Sequence, residues 1–338
     1  MSAGRRPVDL GRVTWLVTGG AGYIGAHVVR GLVEAGHGVV VLDDLSTGRA
    51  ERLPCEVPLV VGAVADRPLV TEVLNRYRID GVIHLAARKS PTESIARPAW
   101  YHRENVGGLA ALLDAMAGAG VHRLLFSSSA AVYGIPPGPT VSEVTPTAPI
   151  NPYGLTKLLG EQLIAAAGRG YGLSWLALRY FNVVGAALPV LADRVPTNLV
   201  PIALAAMSAD TPITVTGADY PTRDGTGVRD YVHVLDLASA HLAAADRLMA
   251  GPAADGVYNV GTGQGHSVLE VLHRIGVVTG QPVAHEIGPR RAGDPPEVVA
   301  DVSRIRHELG WRSRYGLTEM IASSWLAWSE LSGTVPVR

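Results

Sequence analysis

An apolar run, Arg12–Thr18, ends in Thr18-Gly19-Gly20-Ala21-Gly22-Tyr23-Ile24-Gly25, and a helix-length segment, Gly22–Ala35, follows at once. A strand, a glycine-rich turn and a helix in that order build the first unit of a parallel sheet. The rhythm then repeats. Val39–Leu42 and Leu59–Gly62 read as strands, Pro68–Tyr77 as a helix and Gly81–Leu85 as a strand. Pro98–Ala119 reads as one long helix and Arg123–Phe126 as the next strand. The strand runs are almost wholly apolar, as strands covered on both faces are. Pro152–Gly168 (helix) and Leu173–Tyr180 (strand) extend the pattern.

The second half is less regular. Loops are expected at Gly185–Thr197 and Gly217–Gly227, and strands at Val228–Val234 and Val257–Val260. Helices are expected near Val268–Thr279, Arg304–Leu309 and Thr318–Leu331. A chain of 338 residues, 47% of them hydrophobic, can bury a substantial core. The expected class is α/β: a doubly wound parallel sheet of the Rossmann type with a smaller α/β C-terminal substrate lobe. The boundaries are a dinucleotide-binding domain over 11–181 and a substrate domain over 182–331. The segment around 228–260 is the part open to rejoining the first domain.

Charge removes several function classes. With 29 basic and 30 acidic residues the net charge is -1, which gives no footprint for nucleic acid or an anionic membrane. The single cysteine, Cys55, excludes a disulfide framework and a Cys-based zinc site, and no metal is expected. No apolar stretch approaches the ~20 residues that cross a bilayer. Met1–Asp9 leads into no signal-like apolar region, so the expected location is the cytoplasm. Among the basic residues only two, Lys89 and Lys157, are lysines. Where lysine persists in so arginine-rich a chain, a role that arginine cannot fill is worth asking about.

Glycines at 19, 22 and 25 permit a tight turn, close approach of backbone to a pyrophosphate, and close helix-to-strand packing. The unpaired N–H groups of the helix N-terminus then face the phosphates. The second strand ends in Asp43-Asp44. At that offset a carboxylate accepts from the adenosine ribose 2′-OH and repels a 2′-phosphate, which favours NAD over NADP.

Asn151-Pro152-Tyr153-Gly154-Leu155-Thr156-Lys157 opens a helix with proline in its first turn. Tyr153 and Lys157 share a face. Alone, that spacing also describes an ordinary surface pair. Ser127-Ser128-Ser129 supplies context, because a strand runs into these hydroxyls at the sheet edge where open α/β sheets bind ligands. The same serines also suit a turn with local backbone bonds. In the catalytic reading, Ser129 relays a substrate proton to Tyr153. The Lys157 ammonium draws the phenol down from ~10 toward neutrality, where it works as a base. That role needs a compact ammonium, which a guanidinium fork does not reproduce.

With these residues in place, the chain resembles the extended short-chain dehydrogenases/reductases and, within them, the UDP-glucose (UDP-galactose) 4-epimerase family. The resemblance runs from about Val13 to Trp328. It is carried by TGGAGYIG (18–25), HLAARKSPTES (84–94), FSSSAAVYG (126–134), NPYGLTK (151–157), LRYFNVVGA (178–186), DYPTRDGTGVRDYVHV (219–234) and PRRAGD (289–294). The glycine and Tyr-x-x-x-Lys motifs mark the superfamily, and the DYPTRDGTGVRDYVHV block is the more specific part.

The resemblance implies a tightly held NAD and a hidden redox cycle at sugar C4 through a transient 4-keto sugar. It implies Tyr153, Lys157 and Ser129 as catalytic residues. Around the cofactor it implies Gly19, Gly22, Tyr23, Ile24, Gly25, Asp43, Asp44, Leu45, Ser46, Thr47, Gly48, Ala63, Val64, Leu85, Ala86, Ala87, Lys89, Asn105, Ser127 and Tyr180, with Tyr153 and Lys157. Around a UDP-hexose it implies Lys89, Ser129, Tyr153, Tyr180, Asn182, Asn198, Leu199, Thr214, Thr216, Arg229, Arg291, Asp294 and Val298. Arg229 and Arg291 are the expected diphosphate clamps. His84 and His233 are read as structural. A homodimer is implied, packed through the helices Pro98–Ala119 and Pro152–Gly168.

Three departures stand out. Gly62-Ala63 replaces the family's Gly-Asp, so an adenine-binding carboxylate is missing. Ala131 stands where many members have Thr. Val298 stands where some carry a bulky Tyr, which leaves room for UDP-N-acetylglucosamine and UDP-N-acetylgalactosamine. Rival readings are C4 epimerisation of a UDP-pentose or UDP-uronate, a 4,6-dehydratase, and a redox-silent NAD-binding regulator. A dehydratase needs an Asp-Glu pair after the serine, where this chain has Ala130-Ala131. A silent regulator usually lacks the Tyr or the Lys, and both are present.

Overall fold

The computed structural model describes residues 13–251, 254–291 and 293–332. Arg12, the expected first residue of the opening strand, lies outside them with Met1–Asp9, and so does Ala292 of the PRRAGD motif.

Seven strands make the main sheet. In chain order they are β1 (Thr14–Thr18), β2 (Gly38–Asp43), β3 (Leu59–Val61), β4 (Gly81–His84), β5 (Arg123–Ser129), β6 (Ser174–Tyr180) and β7 (Asp255–Val260). Across the sheet the order is β7-β6-β5-β4-β1-β2-β3, and every pairing is parallel. The chain runs outward from β1 to β3, then crosses back to β4 on the other side of β1. That reversal is a topological switch point, and it opens a crevice at the C-terminal ends of β1 and β4.

Alternation along the strands feeds two cores. Val17, Val41, Ile83 and Leu125 face one layer, formed by α1 (Tyr23–Glu34) and a later helix over Val234–Met249. Leu16, Val40, Val82 and Leu124 face the other, with α2 (Arg67–Arg76), α3 (Gly108–Ala119) and α4 (Pro152–Tyr171). The Val234–Met249 helix, α5, lies in the 228–260 region where strands and helices were expected, but the sequence pattern sets no bounds for it. It buries Leu237, Ala240, Ala244 and Leu248 against the sheet. The segment 255–260 returns to the main sheet as its outermost strand.

The expected long helix over 98–119 needs correction. Pro98–Tyr101 and α3 are α-helical, but His102–Gly107 between them is wound as a π-helix. Such wide turns often sit at functional sites, and this one carries Asn105. A short helix, Pro91–Ala96, also precedes it.

The smaller lobe is less irregular than its sequence suggests. Val228–His233 pairs with Gly265–Ser267, Glu297–Ala300 and Asn182–Val184. Ile213–Thr216 pairs with His285–Gly288. The helices Leu199–Ser208, Val268–Thr279 and Leu317–Ser332 close a third core around Leu204, Leu272, Ile275 and Ile321. Among the described residues, no helix is long and apolar enough to cross a membrane.

Candidate active site

A cleft of about 400 Å³ occupies the switch point. Its floor is the glycine turn. Gly19 has φ +72°, and a Cβ there would stand 2.6 Å from the Ala86 nitrogen. A Cβ on Gly25 would strike the Gly19 carbonyl. The backbone therefore presses against both neighbours, and only glycine fits. α1 has Gly22 as its N-cap, with no side-chain cap bond and no acidic residue in its first turn. Its leading N–H groups are left for an anion at the positive end of the helix dipole.

One wall descends from β2. Asp43 is buried, and its carboxylate accepts from the Ala21 N–H at 2.9 Å and the Leu45 N–H at 2.9 Å. Burial raises its pKa, and those two backbone bonds oppose the rise. Each oxygen keeps a lone pair for a ribose hydroxyl. Leu45, held at φ +56°, lets the chain turn so that Ser46, Thr47 and Gly48 return to the wall. Gly62, Ala63 and Val64 after β3 line the far end, where only backbone groups offer polarity. The opposite wall is the Leu85–Ser90 segment after β4. Asn105 fixes it, accepting from the Arg88 N–H at 2.8 Å and donating to the Arg88 carbonyl at 3.0 Å. The same amide also donates to Thr156 on α4 at 3.0 Å. Asn105, expected at the cofactor, lines the cleft, and its side chain braces that wall.

The reactive end lies at the C-terminal edge of β5. Tyr153 and Lys157 rise from the first turns of α4, which the Asn151 side chain caps by accepting from the Gly154 N–H at 2.9 Å. Both are buried, at 8% and 4% exposure, yet both reach the cleft. The Lys157 ammonium donates to the Ser127 carbonyl at 2.8 Å and lies 5.0 Å from the Phe126 ring centroid. Burial pulls its pKa down to about 8, and Glu161 one turn along opposes that. The Ser129 hydroxyl accepts from the Ala131 N–H at 3.2 Å and faces the Tyr153 phenol.

The phenol itself corrects an expectation. Burial raises the Tyr153 pKa, and the one opposing influence is its hydrogen bond with Ser129. Lys157 is not among the influences on the phenol, so the expected shift toward neutrality is not seen and burial prevails. Tyr180 lies beside these groups, bonded to Ser127, with its pKa raised by burial and by Tyr153. His84 is held near neutral form by burial, with a pKa of about 3. Lys157 pushes it the same way, and Thr18 Oγ1 sits 2.7 Å from its Nδ1.

Beneath the reactive edge runs a buried network. Arg179 donates to both oxygens of Glu161, at 2.9 and 2.5 Å, and to the Tyr133 hydroxyl at 3.1 Å. Ser128 donates to Glu161 at 2.5 Å, and Tyr133 donates to Asn259 at 2.7 Å. These bonds tie β5, β6, β7 and α4 together directly under Ser127 and Ser129.

The structure gathers most expected cofactor residues in one cleft, with Leu45 and Ser127 just behind its wall. It scatters the expected substrate residues. Lys89, Tyr153 and Tyr180 line the cleft and Ser129 sits outside that lining, bonded to Tyr153, whereas Asn182, Asn198, Leu199, Thr214, Thr216, Arg229, Arg291, Asp294 and Val298 lie beyond it on the smaller lobe. Arg229 and Asp294 meet each other, Nη2 donating to Oδ1 at 2.6 Å. The Arg229 fork is thus partly neutralised. Val298 is buried and lies beside Arg229 in register. Asn198 donates weakly to Asp193, at 3.4 Å, where the helix Leu199–Ser208 begins. Arg52, Arg88, Trp100, Glu104 and Asp193 also line the cleft and were not foreseen. Arg88 adjoins Lys89 inside a motif already singled out, which was the available signal.

A sequence profile described as the NAD dependent epimerase/dehydratase family matches residues 15–261. The chain belongs to this family. A protein named UDP-glucose 4-epimerase from Lactobacillus helveticus is 44% identical over 315 residues, covering 92% of this chain and 95% of that protein. A UDP-glucose 4-epimerase from Stenotrophomonas maltophila, solved with bound NAD and formylated UDP-arabinopyranose, superposes with a TM-score of 0.91 at 42% identity. It covers 96% of this chain and 100% of that one. One from Bifidobacterium longum, solved with NAD+ and UDP, gives a TM-score of 0.89 at 38% identity, with 95% and 99% covered. Epimerase/dehydratase membership agrees with the uncapped α1, the glycine cradle and Asp43, which together fit a dinucleotide.

Proposed function

We propose that this chain is an NAD-dependent 4-epimerase that interconverts UDP-glucose and UDP-galactose. The observation that carries the reading is the buried Tyr153 and Lys157 lining a dinucleotide cleft, with Ser129 bonded to the Tyr153 phenol, in a family whose similar members bear that name. Gly19, Gly22 and the first turn of α1 would hold the pyrophosphate of NAD, and Asp43 the adenosine ribose. When bound, NAD supplies hydride exchange at sugar C4 and brings positive charge that opposes the effect of burial on the phenol.

The chain's own residues handle the proton. Tyr153 removes the proton of the sugar 4-OH and returns it to the 4-oxygen after inversion, so its net protonation is unchanged. Ser129, anchored by the Ala131 N–H, keeps its hydroxyl proton for the phenol or the sugar oxygen. Lys157 holds the Ser127 carbonyl and keeps its charge below about pH 8. Arg229, Arg291, Asn182, Asn198, Leu199, Thr214, Thr216 and Asp294 supply the UDP side from the smaller lobe. Closing on a diphosphate would draw Arg229 from Asp294.

The small Val298 supports acceptance of N-acetylated UDP-hexoses as well. The same reading places the lobe boundary at 182, with β7 and α5 counted to the first lobe, and the protein in the cytoplasm. It also takes the protein to be a homodimer. Ile95 and Leu155, exposed on neighbouring helices of the α4 side, are apolar surface suited to such an interface.

Tyr153→Phe tests the assignment. It should cut epimerisation by at least ~10²-fold while NAD stays bound. Near-normal activity in that variant would overturn it.

A further inference from the structure

Arg88 bridges two rims of the cleft. Its side chain starts from the segment after β4. Nη1 donates to the Ser46 hydroxyl at 2.8 Å and Nη2 lies 3.3 Å from the Asp44 carboxylate, both on the loop after β2. Nη2 also lies 3.6 Å from Glu104 on the π-helical turn, and the guanidinium sits 4.9 Å from the Trp100 ring centroid. Trp100 takes Arg97 as well, at 3.7 Å. The Arg88 side chain is only 23% exposed.

Topology gives this bridge its meaning. β1 lies between β4 and β2 in the sheet. An arginine that leaves the end of β4 and bonds the loop beyond β2 spans two strand spacings, roughly 10 Å. It therefore passes over the end of β1, where the glycine turn and the α1 N-terminus lie. Its own backbone does not swing freely, because Asn105 holds both the N–H and the carbonyl of Arg88. The moving part is the side chain.

We propose that Arg88 is a clasp across the dinucleotide cleft that governs how long the bound cofactor stays. The proposal rests on the cofactor reading above. A dinucleotide lying along the α1 N-terminus enters and leaves only when the Ser46, Asp44 and Glu104 contacts of Arg88 open. The clasp also offsets the missing carboxylate at Ala63, because it secures the adenosine half from the rim and asks nothing of the adenine edge. Its anchors are partly exposed charge pairs, so retention is salt-sensitive.

The test is a chase on the full-length protein. Protein loaded with NADH is mixed with excess NAD, and release is followed as loss of bound nicotinamide fluorescence. Arg88→Ala should release NADH about tenfold faster than the parent, the sum expected of two partly exposed ion pairs and a cation–π contact. Added salt should speed release from the parent and leave the variant almost unchanged. Glu104→Gln, which removes one anchor, should fall between them. Thermal melting separates clasp from scaffold, since faster release with an unshifted melting temperature supports the clasp. Release from Arg88→Ala at the parent's rate and with the parent's salt response overturns the clasp alone. A parent protein that binds neither NADH nor NAD overturns the cofactor reading, and the clasp with it.

Discussion

Arg179→Met should be among the most damaging single changes outside the reactive groups. Arg179 and Glu161 are each 6% exposed at the side chain and share two hydrogen bonds. Methionine fills much of the arginine volume but leaves the Glu161 carboxylate buried with only the Ser128 hydroxyl as donor. Breaking one side of a buried pair costs about 3–5 kcal/mol. At ~2–4 °C per kcal/mol for a large domain, the melting temperature should fall by roughly 6–20 °C. The damage reaches the reaction as well, because Glu161 anchors Ser128, between the carbonyl that holds Lys157 and the hydroxyl that faces Tyr153. The paired change Glu161→Met with Arg179→Met removes both charges together and should recover most of the loss, since a buried ion pair and an apolar replacement of similar volume differ little. Thermal melts of the four proteins, with NAD held at one saturating concentration, measure the cycle. A drop below ~1 kcal/mol for Arg179→Met, or no recovery in the double variant, would refute the idea that the pair acts as one buried unit.

Gly19→Ala forces a Cβ onto the Ala86 backbone at a positive φ, so NAD affinity in a titration should fall by at least about tenfold, whereas Gly36→Ala, also at positive φ but with open space around it, should leave it unchanged. Burial lowers the pKa of His27, His233 and His241 to about 4 and that of His84 to about 3. The unfolded chain, titrating near ~6.5, then binds more protons than the folded one, so the melting temperature should fall as pH drops from ~6.5 toward ~4, and a flat profile there would contradict the assignment. Burial raises Asp43, Asp230, Asp236 and Glu143, which act in the opposite direction and blunt the loss at its acid end. Val298→Tyr should depress turnover of UDP-N-acetylglucosamine far more than that of UDP-galactose, and equal losses would show that this position does not bound the sugar.

The parts of the fold legible in the sequence are those where one local pattern suffices. β1, its glycine turn and α1 declare themselves by an apolar run, three spaced glycines and a helical period. Val268–Thr279 is marked by a Ser267–Glu270 capping box and Gly280 at its end. α5 is not marked. It follows Val228–His233 with no breaker, and its cap is His233, whose Nδ1 accepts from the Leu235 N–H at 3.0 Å. Histidine is not a residue that signals a helix start. The π-helical turn at His102–Gly107 is marked only by the Gly107-Gly108 pair at its end, which a continuous helix also tolerates. The residues proposed to react were legible by type and spacing, but their electrostatics were not. Burial sets the direction of the shift at both Tyr153 and Lys157, and that burial comes from the folding of β5 against α4. Arg88 needed the strand order, because only the placement of β1 between β4 and β2 makes its reach a bridge.

The central claim is most directly tested by incubating purified protein with UDP-galactose, with no NAD added, and following the anomeric signals by proton NMR. Growth of the UDP-glucose signal, and its absence with Tyr153→Phe, is the predicted result. If UDP-glucose fails to appear even after NAD is supplied, the chain is not an epimerase of this substrate.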